Sequence, residues 1–228
     1  MRPQPGAQAT ARRLRAAGIC RHAAPLFRIV PLNWSLSGGL VDLADAVLWT
    51  SANALRMAQR TNPSAFALLR QYPGLCVGTA TARVAQKYGI PVENAGNADV
   101  VSLLSHPACA AYRHIIWPCG KVHTAISDAR VHALPCYETQ PIENWRGQHQ
   151  LETAPHAIVL HSTAAAQRLS QLVKESLRSA HDIIAISSAV ARAAGSGWRA
   201  IHTAATPDDV SILALCRDLC QKYDHENG

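Results

Sequence analysis

The residue best suited to proton chemistry in this sequence is Tyr137, which lies in the proline-bounded segment Leu134–Pro141. A phenol can donate a hydrogen bond to a departing hydroxyl group, or it can bind a carboxylate. The alternative is a tyrosine that only packs within an extended segment. The neighbouring sequence leaves both interpretations open.

Small hydroxyl residues follow two apolar runs that have the character of strands. Ser51 comes directly after residues 46–50, and Thr79 and Thr81 come after residues 75–78. Serine or threonine at the start of a helix satisfies an unpaired backbone N–H group. Such a helix N-terminus attracts carboxylates and phosphates. The alternative for Gly78–Ala82 is a tight strand-to-helix turn without a ligand.

Several kinds of catalytic site have no signature here. The sequence contains no HExxH, CxxC, GxSxG, Walker or GxGxxG motif, which argues against the metal, nucleophile-elbow and nucleotide sites that these motifs mark. Cys216 and Cys220 stand one helical turn apart, and we interpret them as small buried residues rather than metal ligands. Asp208 and Asp209 are typical of a helix start. We therefore expect neither a cofactor nor a metal.

An internal repeat organises the elements that carry these residues. Ser51 corresponds to Ser162 at an offset of 111, and Arg83 corresponds to Arg192 at an offset of 109. The segment Pro25–Phe27 matches Pro135–Tyr137 at an offset of 110. Each half alternates apolar strand-like runs with short helical patterns, which predicts parallel β-α-β units. The two proline-bounded segments are expected to pair as an antiparallel ribbon between two domains.

The repeat also predicts one strand that has no counterpart. The second half begins with the apolar run at residues 114–117, just before Pro118, whereas only Met1 precedes Arg2. Either the corresponding strand lies upstream, or this chain lacks one strand of a parallel sheet. We expect four or five apolar residues added before Arg2 to raise the melting temperature.

Composition narrows the class of protein. The chain has 228 residues, of which 48% are hydrophobic and 16% charged, and its net charge is +7. No run approaches the length of a membrane span, so no membrane partner is expected. The first thirty residues carry six arginines and no acidic residue. This basic start fits nucleic-acid binding, a transit peptide or attraction of an anionic small molecule. The lack of interleaved aromatic residues argues against nucleic acid.

Taken together, these features resemble the uroporphyrinogen-III synthase family. The resemblance rests on an ordered series of motifs that spans nearly the whole chain. They are Arg2-Pro3, Pro25 to Phe27, Thr50 to Ala54, Val77 to Ala82, Tyr137 to Thr139, a strand ending in Ser162, and Gly197-Trp198.

The resemblance implies two parallel-sheet α/β domains, one of them discontinuous, joined by a two-stranded antiparallel β ladder with the active site in the cleft. The discontinuous domain is expected to comprise residues 1–25 and 142–228, and the inserted domain residues 34–132. Residues 26–33 and 133–141 are expected to form the connecting ribbon.

The implied reaction is the cyclisation of hydroxymethylbilane to uroporphyrinogen III, with loss of water and inversion of ring D. It makes the protein a cyclizing hydro-lyase of haem biosynthesis. The resemblance gives Tyr137 the role of helping the hydroxyl group leave. It gives carboxylate binding, largely through backbone N–H groups, to the strand-end residues. These are Ser51, Asn53, Gly78, Thr81, Ser162, Thr163, Ser187 and Ser188.

One turn departs from the family pattern. Where the family usually has Gly-x-Thr-Thr-Ala, this chain reads Ser187 to Ala191, and its hydroxyl groups come two positions earlier. The altered turn keeps an alternative open, a non-catalytic two-domain module that binds an anionic small ligand. A cytoplasmic monomer that binds a small-molecule substrate is expected under the family interpretation.

Overall fold

A computed structural model describes residues 1–226 apart from positions 2, 5, 20–21 and 97–98. The arginines at positions 2 and 21 of the basic start therefore lie outside the described residues. The chain forms two compact units. Unit 1 consists of Met1–Arg28 and Gln140–Gly228, and unit 2 consists of Ile29–Thr139.

Unit 2 is built on sheet A, whose strands run in the order β1-β6-β5-β2-β3-β4. The strands β2 to β6 form parallel pairs along that order. They are β1 (Phe27–Pro31), β2 (Ala46–Trp49), β3 (Gly74–Val77), β4 (Val92–Gly96), β5 (Ile115–Gly120) and β6 (Val131–Pro141). The helices are α2 (Gly38–Leu43), α3 (Ala52–Thr61), α4 (Pro63–Leu69), α5 (Thr79–Lys87) and α6 (Val100–Leu104), with a 3-10 turn at Pro107–Cys109.

The central strands of sheet A are continuous apolar runs because both faces of the sheet are covered. All four residues of β2 and all six residues of β5 are buried. On one face Trp49 packs edge-on against Phe66, and on the other Leu48 joins Ile115 in a second cluster. This pattern is the one expected for a parallel sheet between helical layers.

Unit 1 is built on the smaller sheet B, in the order β7-β8-β9, with both pairs parallel. Its strands are β7 (Ala157–Leu160), β8 (Asp182–Ala185) and β9 (Ala200–Thr203). Its helices are α1 (Gly6–Ala16), α7 (Gly147–Thr153), α8 (Thr163–Leu172), α9 (Glu175–Arg178), α10 (Ser188–Ala193) and α11 (Asp209–Glu226). The predicted helix start at Asp208 and Asp209 is confirmed, since Asp208 accepts the N–H groups of Val210 and Ser211.

Two strands carry the chain from one unit into the other. The N–H group of Leu32 donates to the carbonyl of Cys136, and the N–H group of Ile142 donates to the carbonyl of Leu26. The bonded partners have falling residue numbers as the numbers along β1 rise, so this ladder is antiparallel. The predicted α/β class with parallel sheets is confirmed. None of the described helices is long and apolar enough to cross a membrane.

Candidate active site

Ser51 lies at the first strand-to-helix turn of unit 2. This residue is extended at the end of β2, and its hydroxyl oxygen accepts the backbone N–H group of Asn53 at 3.1 Å. Arg56, one turn into α3, donates to the side-chain oxygen of Asn53 at 3.4 Å. Ser51 is therefore the N-cap of α3. Carboxylate binding at Asn53 stays a prediction, and its own backbone N–H group is bonded to the Ser51 oxygen.

Tyr137 lies on β6 and forms a side-chain hydrogen bond with Ser51. Burial raises the pKa of the Tyr137 phenol, and the bond from Ser51 lowers it by a smaller amount. A neighbouring hydroxyl group that lowers this pKa does so by favouring the phenolate. At neutral pH Tyr137 consequently holds its proton and has it available to give.

The position of the Tyr137 ring depends on Gly120, the last residue of β5. The β5–β6 register shifts between Cys119 and Gly120, which places Gly120 opposite Tyr137. A Cβ atom at position 120 would lie 3.2 Å from two carbon atoms of the ring. The N–H group of Lys121 also donates to the Tyr137 carbonyl at 2.8 Å. A side chain at position 120 would therefore press against the ring.

The second turn of unit 2 begins at Gly78, whose φ of +81° is a conformation that favours glycine. Thr81 was predicted to bind a ligand here. Its side chain is buried, however, and its N–H group donates to the Gly78 carbonyl at 3.1 Å. The exposed first residues of α5 are Thr79 and Ala80. Their N–H groups are the ones that a helix leaves open at its first turn.

Unit 1 repeats the capped turns. The Ser162 hydroxyl oxygen accepts the N–H group of Ala165 at 3.2 Å, and that of Ser187 accepts the N–H group of Val190 at 3.4 Å. Thr163 and Ser188 are the first residues of α8 and α10. The altered turn at Ser187 therefore still makes a capped helix start, as Ser162 does.

The structure brings some predicted residues into contact and places others nearby. Ser51 bonds Tyr137 directly, and Asn53 stands next in the same turn. Gly78 follows β3, which is parallel to and paired with β2, so both turns open at one edge of sheet A. In unit 1, Ser162 and Ser187 likewise follow the neighbouring strands β7 and β8.

Three residues at or beside the predicted site were missed from the sequence. They are Gly120 against its ring, Lys121 with its side chain 3.3 Å from the Glu138 carboxylate, and Arg56 on Asn53. Gly120 had a detectable signal, because a glycine at the end of an apolar strand often marks the close approach of another chain segment. A single positive charge in a helix or loop, such as Arg56 or Lys121, gives no comparable signal.

The cysteines beside the site are protonated thiols. Burial raises the pKa of Cys136 to about 12 and that of Cys119 to about 11. The Cys136 thiol donates to the Cys119 carbonyl across a 3.6 Å separation. Since the thiolate is the nucleophilic form, these side chains serve as packing. Among the described residues, no group of three or more His, Cys, Asp or Glu side chains is arranged to hold a metal ion.

The fold and the site together define a class of protein. Each unit is an α/β unit whose parallel sheet ends in capped helix N-termini, and unit 2 adds a protonated tyrosine bonded to a serine. Such edges are suited to an anionic organic ligand. The chain belongs to the uroporphyrinogen-III synthase family, because the family model for uroporphyrinogen-III synthase HemD matches residues 8–214. The resemblance found in the sequence is confirmed.

Solved structures agree with this assignment at the level of the fold. Uroporphyrinogen-III synthetase from Helicobacter pylori 26695 superposes with a TM-score of 0.68 at 16% identity, over 88% of this chain and 95% of that chain. A mutant uroporphyrinogen III synthase from the extremely thermophilic bacterium Thermus thermophilus gives a TM-score of 0.54 at 17% identity, over 94% and 95%. No curated protein matches the sequence. Family membership makes the chain a cyclizing hydro-lyase of uroporphyrinogen III synthesis in tetrapyrrole biosynthesis, acting on a small-molecule substrate.

Proposed function

We propose that Tyr137 and Ser51 start the cyclisation of hydroxymethylbilane by helping its hydroxyl group to leave. Tyr137 donates its phenol proton to that hydroxyl group, the carbon–oxygen bond breaks, and water departs. The phenolate that remains can accept a hydrogen bond from the Ser51 hydroxyl, whose proximity lowers the pKa of the phenol. The observation that carries this proposal is the placement of the buried, protonated Tyr137 phenol beside Ser51, with its ring held against Gly120.

The later steps close the macrocycle and return the proton. The substituted carbon of ring D attacks the electron-poor azafulvene carbon, and the resulting spiro intermediate fragments and recloses with ring D inverted. Restoring the last pyrrole releases one proton, which returns to Tyr137. The balance is one substrate converted to one uroporphyrinogen III and one water. The pyrroles supply the electrons, so the remaining task of the protein is to hold a flexible chain in one geometry.

We propose that the substrate carboxylates bind at the open helix starts rather than at every residue first assigned. Ser51, Ser162 and Ser187 form the turns by capping them. In unit 2 the donors are the exposed N–H groups of Thr79 and Ala80 after Gly78, and in unit 1 those of Thr163 and Ser188. Arg56 contributes a positive charge on Asn53. Thr81 supports the turn from within the core.

The test is a coupled assay that supplies hydroxymethylbilane, oxidises the product and separates isomers I and III by chromatography. We expect isomer III well above the no-protein control. Tyr137→Phe should lower kcat on the order of 100-fold with little change in KM, as for loss of a general acid. Tyr88→Phe is the matched control, because Tyr88 packs against Phe66 in the core of the same unit. Full kcat in Tyr137→Phe would reject the proposed role, and isomer I alone from folded protein would reject the cyclisation.

We propose further that the protein acts as a cytoplasmic monomer without nucleic acid, with the domain limits expected from its sequence. Two features support the absence of nucleic acid and the domain limits. Part of the basic start is already paired, since Arg13 forms a salt bridge with Asp209. The grouping of residues 1–28 with the C-terminal part of the chain in one compact unit supports the domain limits. Light scattering should give one chain per particle, and DNA or RNA affinity should be weak at physiological salt. Limited proteolysis should cut near residues 28 and 140.

A further inference from the structure

Two histidine side chains meet where the strands β5 and β6 begin. His114 directly precedes β5, and His132 is the second residue of β6. Their rings are nearly parallel, with an angle of 17° between the two planes. The Nδ1 atom of His114 lies 3.4 Å from the Nε2 atom of His132. Two ring nitrogens from neighbouring strands therefore lie across a short gap, and both residues are half-buried.

Strand pairing fixes the backbone beneath both rings. Ile115 is paired with Val131, and Ile116 is paired with His132. Side chains two residues apart along a strand share a face of the sheet. His114 therefore lies on the same face as Ile116 and its partner His132. The sheet, rather than a flexible loop, holds the two rings together.

The separation of the two nitrogens suits a metal ion that is bound by both. Zinc binds histidine nitrogen at about 2.0–2.1 Å in tetrahedral geometry, which places two nitrogen ligands roughly 3.3–3.4 Å apart. The distance in this pair is 3.4 Å. A neutral imidazole has one protonated and one unprotonated nitrogen. When each ring carries its proton on the nitrogen away from the gap, two lone pairs are available to one ion.

An ionised carboxylate lies beside the pair. Asp45 directly precedes β2, whose first residue, Ala46, is paired with Ile115 of β5. The Oδ2 atom of Asp45 accepts the backbone N–H groups of Arg113 at 2.7 Å and of His114 at 3.0 Å. These two hydrogen bonds lower the pKa of Asp45, so its carboxylate is negative at neutral pH. A negative charge next to His114 favours a bound cation.

We propose that His114 and His132 form a binding site for a zinc ion. The two facing nitrogens supply two of its ligands, water supplies the others, and the ion cross-links the starts of β5 and β6. The sequence contains no motif for such a site, because the two histidines are 18 residues apart and only strand pairing brings them together. The inference does not depend on the reaction, since it is read from metal binding alone.

The test titrates Zn²⁺ into the full chain while NMR follows the ring C–H signals of the individual histidines. We expect the signals of His114 and His132 to change together and to reach their final positions at one zinc ion per chain at this site. Zinc bound at any other histidine would be recognised by the signals of that residue. The titration uses the unchanged protein, so its result does not depend on the folding of a variant.

Substitutions then test the two ligands separately. His114→Gln and His132→Gln should each weaken zinc binding at this site by at least about tenfold, since loss of even an outer partner commonly costs that much. His149→Gln is the matched control. His149 is exposed on α7, and its Nδ1 atom lies 3.9 Å from the Glu152 carboxylate, so it pairs an imidazole with an acid. This control should bind zinc at the His114–His132 site as tightly as the unchanged protein.

The charge of Asp45 gives a graded prediction. Asp45→Asn keeps a side-chain oxygen for the two backbone N–H groups and removes the charge, so it should weaken zinc binding less than either histidine substitution. Unchanged His114 and His132 signals in excess zinc would overturn the proposal. A response of only one of the two rings would indicate an adventitious ion only and would overturn it too. Equal weakening by His149→Gln would have the same consequence.

Discussion

The two units share one strand-to-helix design but differ at one position of the connecting strands. Ser51 and Ser162 cap α3 and α8 in the same way, each after a parallel strand. The repeat makes Phe27 the counterpart of Tyr137. Tyr137 bonds Ser51, whereas Phe27 packs against the core of unit 1. The two units therefore have similarly capped helix starts, and of these two positions only the one in unit 2 carries a phenol.

Both units also use one arginine to tie loops together. Arg130 of unit 2 donates to the carbonyls of Leu104, Cys109 and Tyr112, and it pairs with Asp128. Arg178 of unit 1 donates to the carbonyls of Ser170, Val173 and Ser196, and it lies over the Trp198 ring. The similarity predicts equal but separate effects on stability.

The largest expected effect comes from removing either arginine. Arg130→Ala and Arg178→Ala should each lower the free energy of unfolding on the order of 3 kcal/mol, because several carbonyls lose a charged donor. Hydrogen exchange should locate the loss in residues 29–139 for the first variant and in the other unit for the second. Arg70→Ala, at an exposed position of unit 2, is the control. Equal loss of protection in both units from either variant would contradict the separation.

A smaller effect is expected from Gly120→Ala. The added methyl group would meet the Tyr137 ring at 3.2 Å, so the ring must move by a few tenths of an ångström. We expect kcat for isomer III to fall by roughly tenfold, since proton transfer depends on such positioning. Gly39→Ala adds the same group where no atom lies within 4 Å and should leave kcat unchanged. Equal activity of the two variants would show that the ring position does not matter.

The two capping serines provide a further test of the difference between the units. Ser51→Ala and Ser162→Ala should each destabilise the protein by about 1 kcal/mol, which is typical of a lost N-cap. Only Ser51→Ala should also lower kcat, because only Ser51 supports the Tyr137 oxygen. Thermal unfolding and the isomer assay on the same preparations give both values. A matching fall in kcat for Ser162→Ala at constant KM would remove the functional difference between the units.

The smallest effect on stability at neutral pH is expected from replacing His181 in unit 1. Burial, with help from His156, lowers the pKa of His181 below its ordinary 6.5. The unfolded chain therefore binds this proton more readily, and stability should fall as the pH drops below about 6.5. His181→Asn keeps an acceptor for the His156 N–H group, which donates to the His181 ring at 3.2 Å. Its stability should depend less on pH between about 7 and 5 than that of the unchanged protein, and an identical slope would contradict this role.

The strand-to-helix turns could be predicted from the sequence because their signals are local. An apolar run followed by Ser51 or Ser162 marks both the end of a strand and the cap of a helix. Which N–H groups stay open is less visible. Asn53 and Thr81 were expected to donate to a ligand, but their N–H groups are taken by the Ser51 oxygen and the Gly78 carbonyl. An open N–H group and a bonded one stand one position apart in a helical turn, and sequence spacing alone does not distinguish them.

The contact between Tyr137 and Ser51 depends on strand order, which the sequence does not encode locally. The strand β5 lies between β6 and β2. Gly120 at the end of β5 leaves room for the Tyr137 ring to reach the turn after β2. The edge strands β4 and β9 were also missed. The β4 segment Val92–Gly96 contains Glu, Asn and Gly, which are weak strand formers. Pairing with β3 decides its conformation.

The order in which the two units can be completed during synthesis follows from the insertion of unit 2 into unit 1. Unit 2 is complete once Thr139 has been made, whereas Met1–Arg28 must wait for partners that begin at Gln140. At roughly 5 to 20 residues per second, that wait lasts several seconds. The helix α1 buries only Ala7 and Leu14 and carries three arginines. A nascent segment so basic and so poor in apolar surface is well suited to remain soluble until the rest of its unit arrives.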